Sequence, residues 1–240
     1  MSTQDSPHSP PRRLLAWGVH LFTASGAVFG LLAILAIERR DFHPAALYML
    51  AALAIDSVDG MAARAVRVSE VLPTIDGRRL DDIVDYFNYV VVPALFLLAL
   101  GALPHWGFCV PILLSSAYGF SQLDAKTDDA FFLGWPSYWN VVAIHAWLLH
   151  ASMEITTAVV LAFAVLVFVP LKYVYPSRVP VLWRTTNVGG ALFILLTALA
   201  AAAPERAREA RLVEISLVYP AYYFVLSAWL AYWFGMRGRS

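Results

Sequence analysis

Charge is scarce in this chain. Asp, Glu, Lys and Arg together supply 14% of its 240 residues, where soluble domains carry roughly a quarter. A water-facing surface cannot be covered with so little. Cations and anions also balance, 17 against 17, so no polybasic field exists to draw nucleic acid, and no nucleic-acid partner is expected. Cysteine occurs once, at Cys109, which rules out an intrachain disulfide. No internal repeat is visible, and no loop is long enough to house a soluble domain. A cleavable leader is not expected either: "MSTQDSPHSPPRR" is polar and proline-rich, and the apolar run after it is full length rather than the short core of a signal peptide. Residues 1–13 are therefore expected to form a disordered cytoplasmic tail, and 14–240 a single transmembrane catalytic domain.

Apolar residues fill the space that charge leaves. They make up 60% of the chain, and stretches near the roughly twenty residues needed to cross about 30 Å of hydrocarbon recur along it. These lie at 15–37, 42–59, 83–103, 106–123, 135–152, 155–175, 187–203 and 213–234. The expected fold class is thus all-α, a polytopic membrane bundle of about eight transmembrane helices. With the N-terminus in the cytoplasm, one side collects twelve of the seventeen cations, which is the bias that sets orientation. The other side holds Arg39, Arg40, Arg206, Arg208 and Arg211, interleaved with acids as in a solvated loop. Both termini are expected to face the cytoplasm.

Against this background two stretches are anomalous: "AIDSVDGMAARAVR" at 54–67, closing the second span, and "GRRLDDIVDYFNYVVV" from 77, opening the third. An ionised carboxylate inside the bilayer costs about 2.5–3.5 kcal/mol even on a lenient insertion scale. Acids there need water or cations to compensate them. Asp56 and Asp59 are i, i+3 neighbours, and Asp81 and Asp85 are i, i+4 neighbours, so each pair shares a helix face. Asp82 is turned by about 100° from Asp81 and is expected outside the group, toward the headgroups. Because the two helices are consecutive and antiparallel, all four carboxylates can converge at one membrane face, the cytoplasmic one on the charge bias. Hard oxygen ligands of this kind suit Mg²⁺ or Mn²⁺, and four can hold two ions for displacement at phosphorus. Gly60 and Gly77 allow close approach, and Arg64 fits a phosphate partner. A plainer reading makes these residues the interfacial charge that stops a helix, but a stop signal needs cations rather than acids on two facing stripes.

The pattern Asp56-x-x-Asp59-Gly60-x-x-Ala63-Arg64, followed by Gly77-x-x-x-Asp81-x-x-x-Asp85, resembles the motif of the CDP-alcohol phosphotransferases at all eight of its fixed positions. The twelve-residue gap from Arg64 to Gly77, longer than is usual in the family, and the block "DAKTDDAFFLGWPSYWNVV" at 124–142 resemble the bacterial phosphatidylcholine synthase branch. That resemblance implies transfer of the phosphatidyl group of CDP-diacylglycerol to choline with release of CMP, in a bacterial inner membrane, by a homodimer. It further implies Asp56, Asp59 and Asp81 as metal ligands, and Asp85 beside the metals as general base on the acceptor hydroxyl. Gly60, Ala63, Arg64 and Gly77 would line the CDP pocket. A phosphatidylserine synthase, or another family member, shares the whole motif and differs only in acceptor recognition. A small cation transporter is the alternative from another class; its sites would lie nearer the midplane, with an inverted repeat.

Choline presents a quaternary ammonium, which aromatic faces hold. The candidate rings are Tyr86, Trp135, Tyr138 and Trp139, although Trp and Tyr also gather at every membrane interface. The 124–140 block adds Asp124, Lys126, Asp128 and Asp129. Lys172, Arg178 and Arg184 are candidates for the lipid phosphates, or simply obey the positive-inside bias. His20, His145 and His150 lack metal-ligand spacing and suit helix packing, as do small-residue runs such as "SGAVFG".

Overall fold

A computed structural model describes residues 9–127 and 129–237. Pro10 opens the first helix, α1 (Pro10–Glu38), at a position where its missing N–H costs nothing. Of the expected tail, residues 10–13 are helical and 1–8 lie outside the described residues. After a tight reversal, α2 (Phe42–Val66) returns and ends at Arg67 in the left-handed region, φ 56°. A single turn, α3 (Val68–Val71), packs Val68 and Val71 against Ala16 of α1. Asp76 caps α4 (Gly77–Tyr86), its carboxylate accepting the Arg79 N–H at 3.1 Å. The helix continues through a π turn, Phe87–Val91, into α5 (Val92–Leu100).

The remainder comprises α6 (Cys109–Ser121), β1 (Phe131–Leu133), α7 (Trp139–Leu148), α8 (Met153–Phe168), β2 (Lys172–Val174), α9 (Trp183–Ala202), α10 (Pro204–Glu209), α11 (Leu212–Ser216) and α12 (Val218–Arg237). Among the described residues, five helical stretches are long and apolar enough to cross a membrane: Pro10–Glu38, Phe42–Val66, Gly77–Leu100, Trp183–Ala202 and Leu212–Trp233. Trp106–Ser121 and Met153–Phe168 are apolar but shorter. The protein is an all-α polytopic membrane protein, and in place of about eight expected spans the described residues give these five long helices and shorter apolar ones. The largest departure is the segment 135–152, expected to span. Its helix, α7, has ten residues, about 15 Å of rise and half the hydrocarbon thickness. Gly134 forces that departure: its φ is +83°, and the carbonyl of Val167 fills the place of a side chain.

Two helices meet where glycine removes side chains. A Cβ on Gly26 would stand 2.9 Å from Val84 Cγ1, and one on Gly30 would stand 2.5 Å from Phe87 Cε1. So α1 presses directly onto α4 and the π turn. The strands β1 and β2 pair antiparallel, Phe131 opposite Val174, and the Val174 N–H donates to Ser227 Oγ of α12 at 3.0 Å. At the same face Lys172 Nζ pairs with Asp129 at 2.5 Å and lies 5.3 Å from the Phe131 ring centroid. Burial is the largest single influence on the Asp129 carboxyl and raises its pKa, but the bonds from Lys172 and Thr127 and the charge of Lys172 together outweigh it and hold the group below its usual range. The opposite face carries Arg40, whose guanidinium donates to the Ala99 carbonyl at 2.9 Å, and the Arg208–His150 pair. The helical walls thus leave a cleft lined at one end by α3 and the Lys126 connection and at the other by Leu149 and Ala151.

Candidate active site

The last turns of α2 and the first of α4 reach the cleft together. One carboxylate oxygen from each of Asp56, Asp81 and Asp85 lies within 4.8 Å of the other two, and Asp56 and Asp85 are in hydrogen-bond reach of one another. Facing carboxylates repel unless a proton or a cation lies between them. Three convergent hard oxygens therefore fit a divalent ion of the Mg²⁺ type. Asp59 stands apart from this trio. It is 5% exposed and sits beside the Thr23 hydroxyl of α1, where it lines both the open cleft and a small closed cavity behind the acids. The expected convergence of four carboxylates is three in contact with a fourth flanking them.

Two further residues complete the cluster, and helical spacing is a signal for one of them. Tyr89 follows Asp85 by four positions, hence on the same face as Asp81 and Asp85, and its hydroxyl donates to Asp56 Oδ2 at 2.6 Å. It sits in the π turn, a local widening of the helix of the kind that gathers at functional sites. The other is Lys126, whose Nζ donates to Asp81 Oδ2 at 3.3 Å and Asp82 Oδ1 at 3.2 Å. Burial pulls the Lys126 pKa down, but Asp81 and Asp82 outweigh it and raise the pKa above the usual lysine value. As expected, Asp82 lies outside the trio, but it still lines the cleft, where it accepts from this ammonium. Nothing near Asp82 in sequence announces that partner, which lies 44 residues on.

The cleft encloses about 1510 Å³. Gly60, Ala63, Arg64 and Gly77 all line it, as do Arg78 and Arg178. A Cβ on Gly60 would stand 3.3 Å from Arg64 Nη1, and one on Gly77 would stand 3.2 Å from His20 Cε1. Arg178 lies 5.3 Å from the Tyr175 ring, at the rim. Arg184, the other arginine expected for lipid phosphates, is not among the described lining residues.

The four candidate rings divide. Tyr138 lines the cleft, edge-on to Tyr89 at 6.1 Å and to Tyr223 of α12 at 6.1 Å. Trp135 also lines it but is wedged between Trp139 at 4.6 Å and Phe163 at 4.5 Å. Trp139 is fully buried, its indole N–H donating to Ser116 Oγ at 2.8 Å. Tyr86 donates to the Leu113 carbonyl at 3.1 Å and stacks edge-on with Phe120. Neither Tyr86 nor Trp139 is among the lining residues, and the polar tip of each is taken up by a partner elsewhere. Tyr223, not singled out by spacing, lines the cleft as a buried ring whose hydroxyl lies beside that of Tyr138. Asp128 lies outside the described residues.

Residues 19–170, which contain the whole acidic motif and the Lys126 loop, match the family model described as CDP-alcohol phosphatidyltransferase. The chain belongs to that family. Among the relatives of this CDP-alcohol phosphatidyltransferase, the phosphatidylcholine synthase of Legionella pneumophila is 45% identical over 181 residues, covering 72% of this chain and 71% of the relative. The phosphatidylcholine synthase of Borreliella burgdorferi is 35% identical over 227 residues, covering 91% and 95%. That of Pseudomonas aeruginosa is 38% identical over 174 residues, covering 71% and 73%. At 91% of the chain, the similarity to the Borreliella protein extends beyond the family segment.

Proposed function

We propose that this chain is a phosphatidylcholine synthase, moving the phosphatidyl group of CDP-diacylglycerol to choline and releasing CMP. The observation that carries the reading is the acid trio of Asp56, Asp81 and Asp85 at a cleft in a chain 35% identical, over nearly its full length, to a protein of that name. Asp56, Asp59, Asp81 and Asp85 would hold two divalent ions, Mg²⁺ or Mn²⁺. Such ions neutralise a diphosphate and a departing phosphate monoester, so CMP leaves without an acid. The Asp85 carboxylate takes the proton of the choline hydroxyl as the new O–P bond forms and the P–O bond to CMP breaks. Tyr89 fixes the Asp56 oxygen it donates to, which holds that ligand in one orientation beside Asp81 and Asp85. Gly60, Ala63 and Gly77 leave room for the nucleotide, and Arg64 and Arg178 add charge for its phosphates.

For the acceptor, Tyr138 offers a face for the trimethylammonium, with Trp135 behind it. Choline cannot donate a strong hydrogen bond from that end, so rings rather than a dedicated cation or anion suit it. The charge bias supports a bacterial inner-membrane protein with both termini and the cleft toward the cytoplasm, and the family resemblance supports a homodimer. The test is CMP release by purified protein given CDP-diacylglycerol and a panel of alcohols. Choline should drive release well above ethanolamine, serine, glycerol phosphate and inositol; release driven by serine instead would replace this reading with a phosphatidylserine synthase.

A further inference from the structure

Lys126 belongs to neither acid-bearing helix. It comes from the connection between α6 and β1, and its backbone is pinned there: Lys126 bridges Phe132, the Leu133 N–H donates to the Ala125 carbonyl at 3.0 Å, and the Thr127 N–H donates to the Phe131 carbonyl at 2.8 Å. From that fixed base the ammonium crosses to α4 and divides itself between two carboxylates, at 3.3 and 3.2 Å. Charge-assisted bonds of full strength are shorter, about 2.7–2.9 Å. A divided, long pairing is the geometry of a counter-ion that can give up one partner and keep the other. The two partners differ in just this respect. Asp81 is one of the three acids that fit a divalent ion, and Asp82 is not. Lys126 also retains 21% side-chain exposure and lines the cleft, so it is not sealed in as a packing element.

We propose that Lys126 is a phosphate-binding residue of the donor pocket, parked on Asp81 and Asp82 until a divalent ion takes Asp81 and frees it toward the diphosphate. The inference rests on the transferase reading above. In the absence of metal the ammonium compensates acids that would otherwise repel one another at a membrane face. Once Asp81 ligates an ion, Asp82 holds the lysine beside the cleft, and its remaining N–H donors are left for phosphate oxygen. Arg178 and Arg64, exposed at the rim, do not touch the acids and have no such exchange to make.

The experiment measures Mn²⁺ binding by EPR and CDP-diacylglycerol binding at saturating Mn²⁺, on full-length protein in detergent without any acceptor alcohol. Lys126→Met removes the competing charge, so Mn²⁺ should bind roughly five-fold tighter, the scale of a partly exposed ion pair. The same variant should bind CDP-diacylglycerol roughly ten-fold more weakly, having lost a charge-assisted bond. Lys126→Gln, whose amide can keep both carboxylate contacts without charge, should move both quantities in the same directions. Lys126→Arg should leave both within about two-fold of wild type, its charge being intact. Unchanged or weaker Mn²⁺ binding in Lys126→Met, or unchanged donor binding, overturns the proposal. If neither neutral variant folds even with Mn²⁺ present, Lys126 is a structural staple and the proposal is equally overturned. No choline enters these measurements. A wild type that binds Mn²⁺ and donor yet releases no CMP with choline would sink the synthase reading while leaving the phosphate-binding role of Lys126 intact.

Discussion

At the scale of single residues, the bond from Tyr89 to Asp56 is the shortest link between the acid trio and the aromatic wall, at 2.6 Å. Removing that hydroxyl leaves a half-buried carboxylate oxygen with one partner fewer, while the buried ring stays in place. Tyr89→Phe should therefore weaken metal dependence rather than abolish chemistry: the Mn²⁺ concentration for half-maximal CMP release should rise roughly 10-fold or more, the usual cost of losing a ligand's supporting hydrogen bond. An unchanged Mn²⁺ titration would mean that Tyr89 holds only the ring packing with Tyr138. The meeting of Asp56, Asp81 and Asp85 is legible in the sequence because helical period alone fixes which acids share a face. Tyr89 obeys the same arithmetic, as Asp85 plus four, but a tyrosine in an apolar run carries no signal until a partner is known. Lys126 is out of reach for another reason. It approaches from a loop 45 residues beyond Asp81, and loop paths obey no period.

At the scale of elements, the site depends on how closely α1 lies on α4 and the π turn. Gly30 is the tightest point, where an added Cβ would meet Phe87 and the Asn88 side chain. Gly30→Ala should lower stability by about 1–3 kcal/mol, the range for overpacking a filled contact. Gly18, on the same helix with open space around it, provides the contrast. Gly18→Ala should be neutral or raise stability by up to about 1 kcal/mol through helix propensity. Thermal unfolding in one detergent checks both, and equal midpoints for the two variants would show that the seam yields. The small-residue run of α1 is readable as a packing surface, but its partner is not. The ten-residue α7 marks the opposite case. Its apolar run has the length of a span, and only the left-handed turn at Gly134, pressed on the Val167 backbone, reveals that the chain enters late. That phase decides that Tyr138 faces the cleft while Trp139, one residue on, is buried.

At the scale of the whole molecule, the two faces differ in what they carry. One bears the acid cluster, α3, the Lys126 connection and the β1–β2 pair; the other bears Arg40, His150 and α10. Twelve cations on the first side in the sequence-based topology argue that it faces the cytoplasm, because translocating short cationic loops is disfavoured. This sidedness has chemical sense, since CDP-activated lipid and free CMP are handled where nucleotides are. The chain is well suited to a direct test because its single cysteine, Cys109, is buried, its thiol resting 3.6 Å from the Ala94 carbonyl. Ser69→Cys places an exposed thiol on the cleft face, and Glu205→Cys places one on the other. In intact bacterial cells a membrane-impermeant maleimide should label the thiol of Glu205→Cys and spare that of Ser69→Cys. In inside-out vesicles the pattern should reverse. Labelling of Ser69→Cys from outside intact cells would put the cleft on the wrong side for a nucleotide product and overturn the orientation, whatever the chemistry of the site.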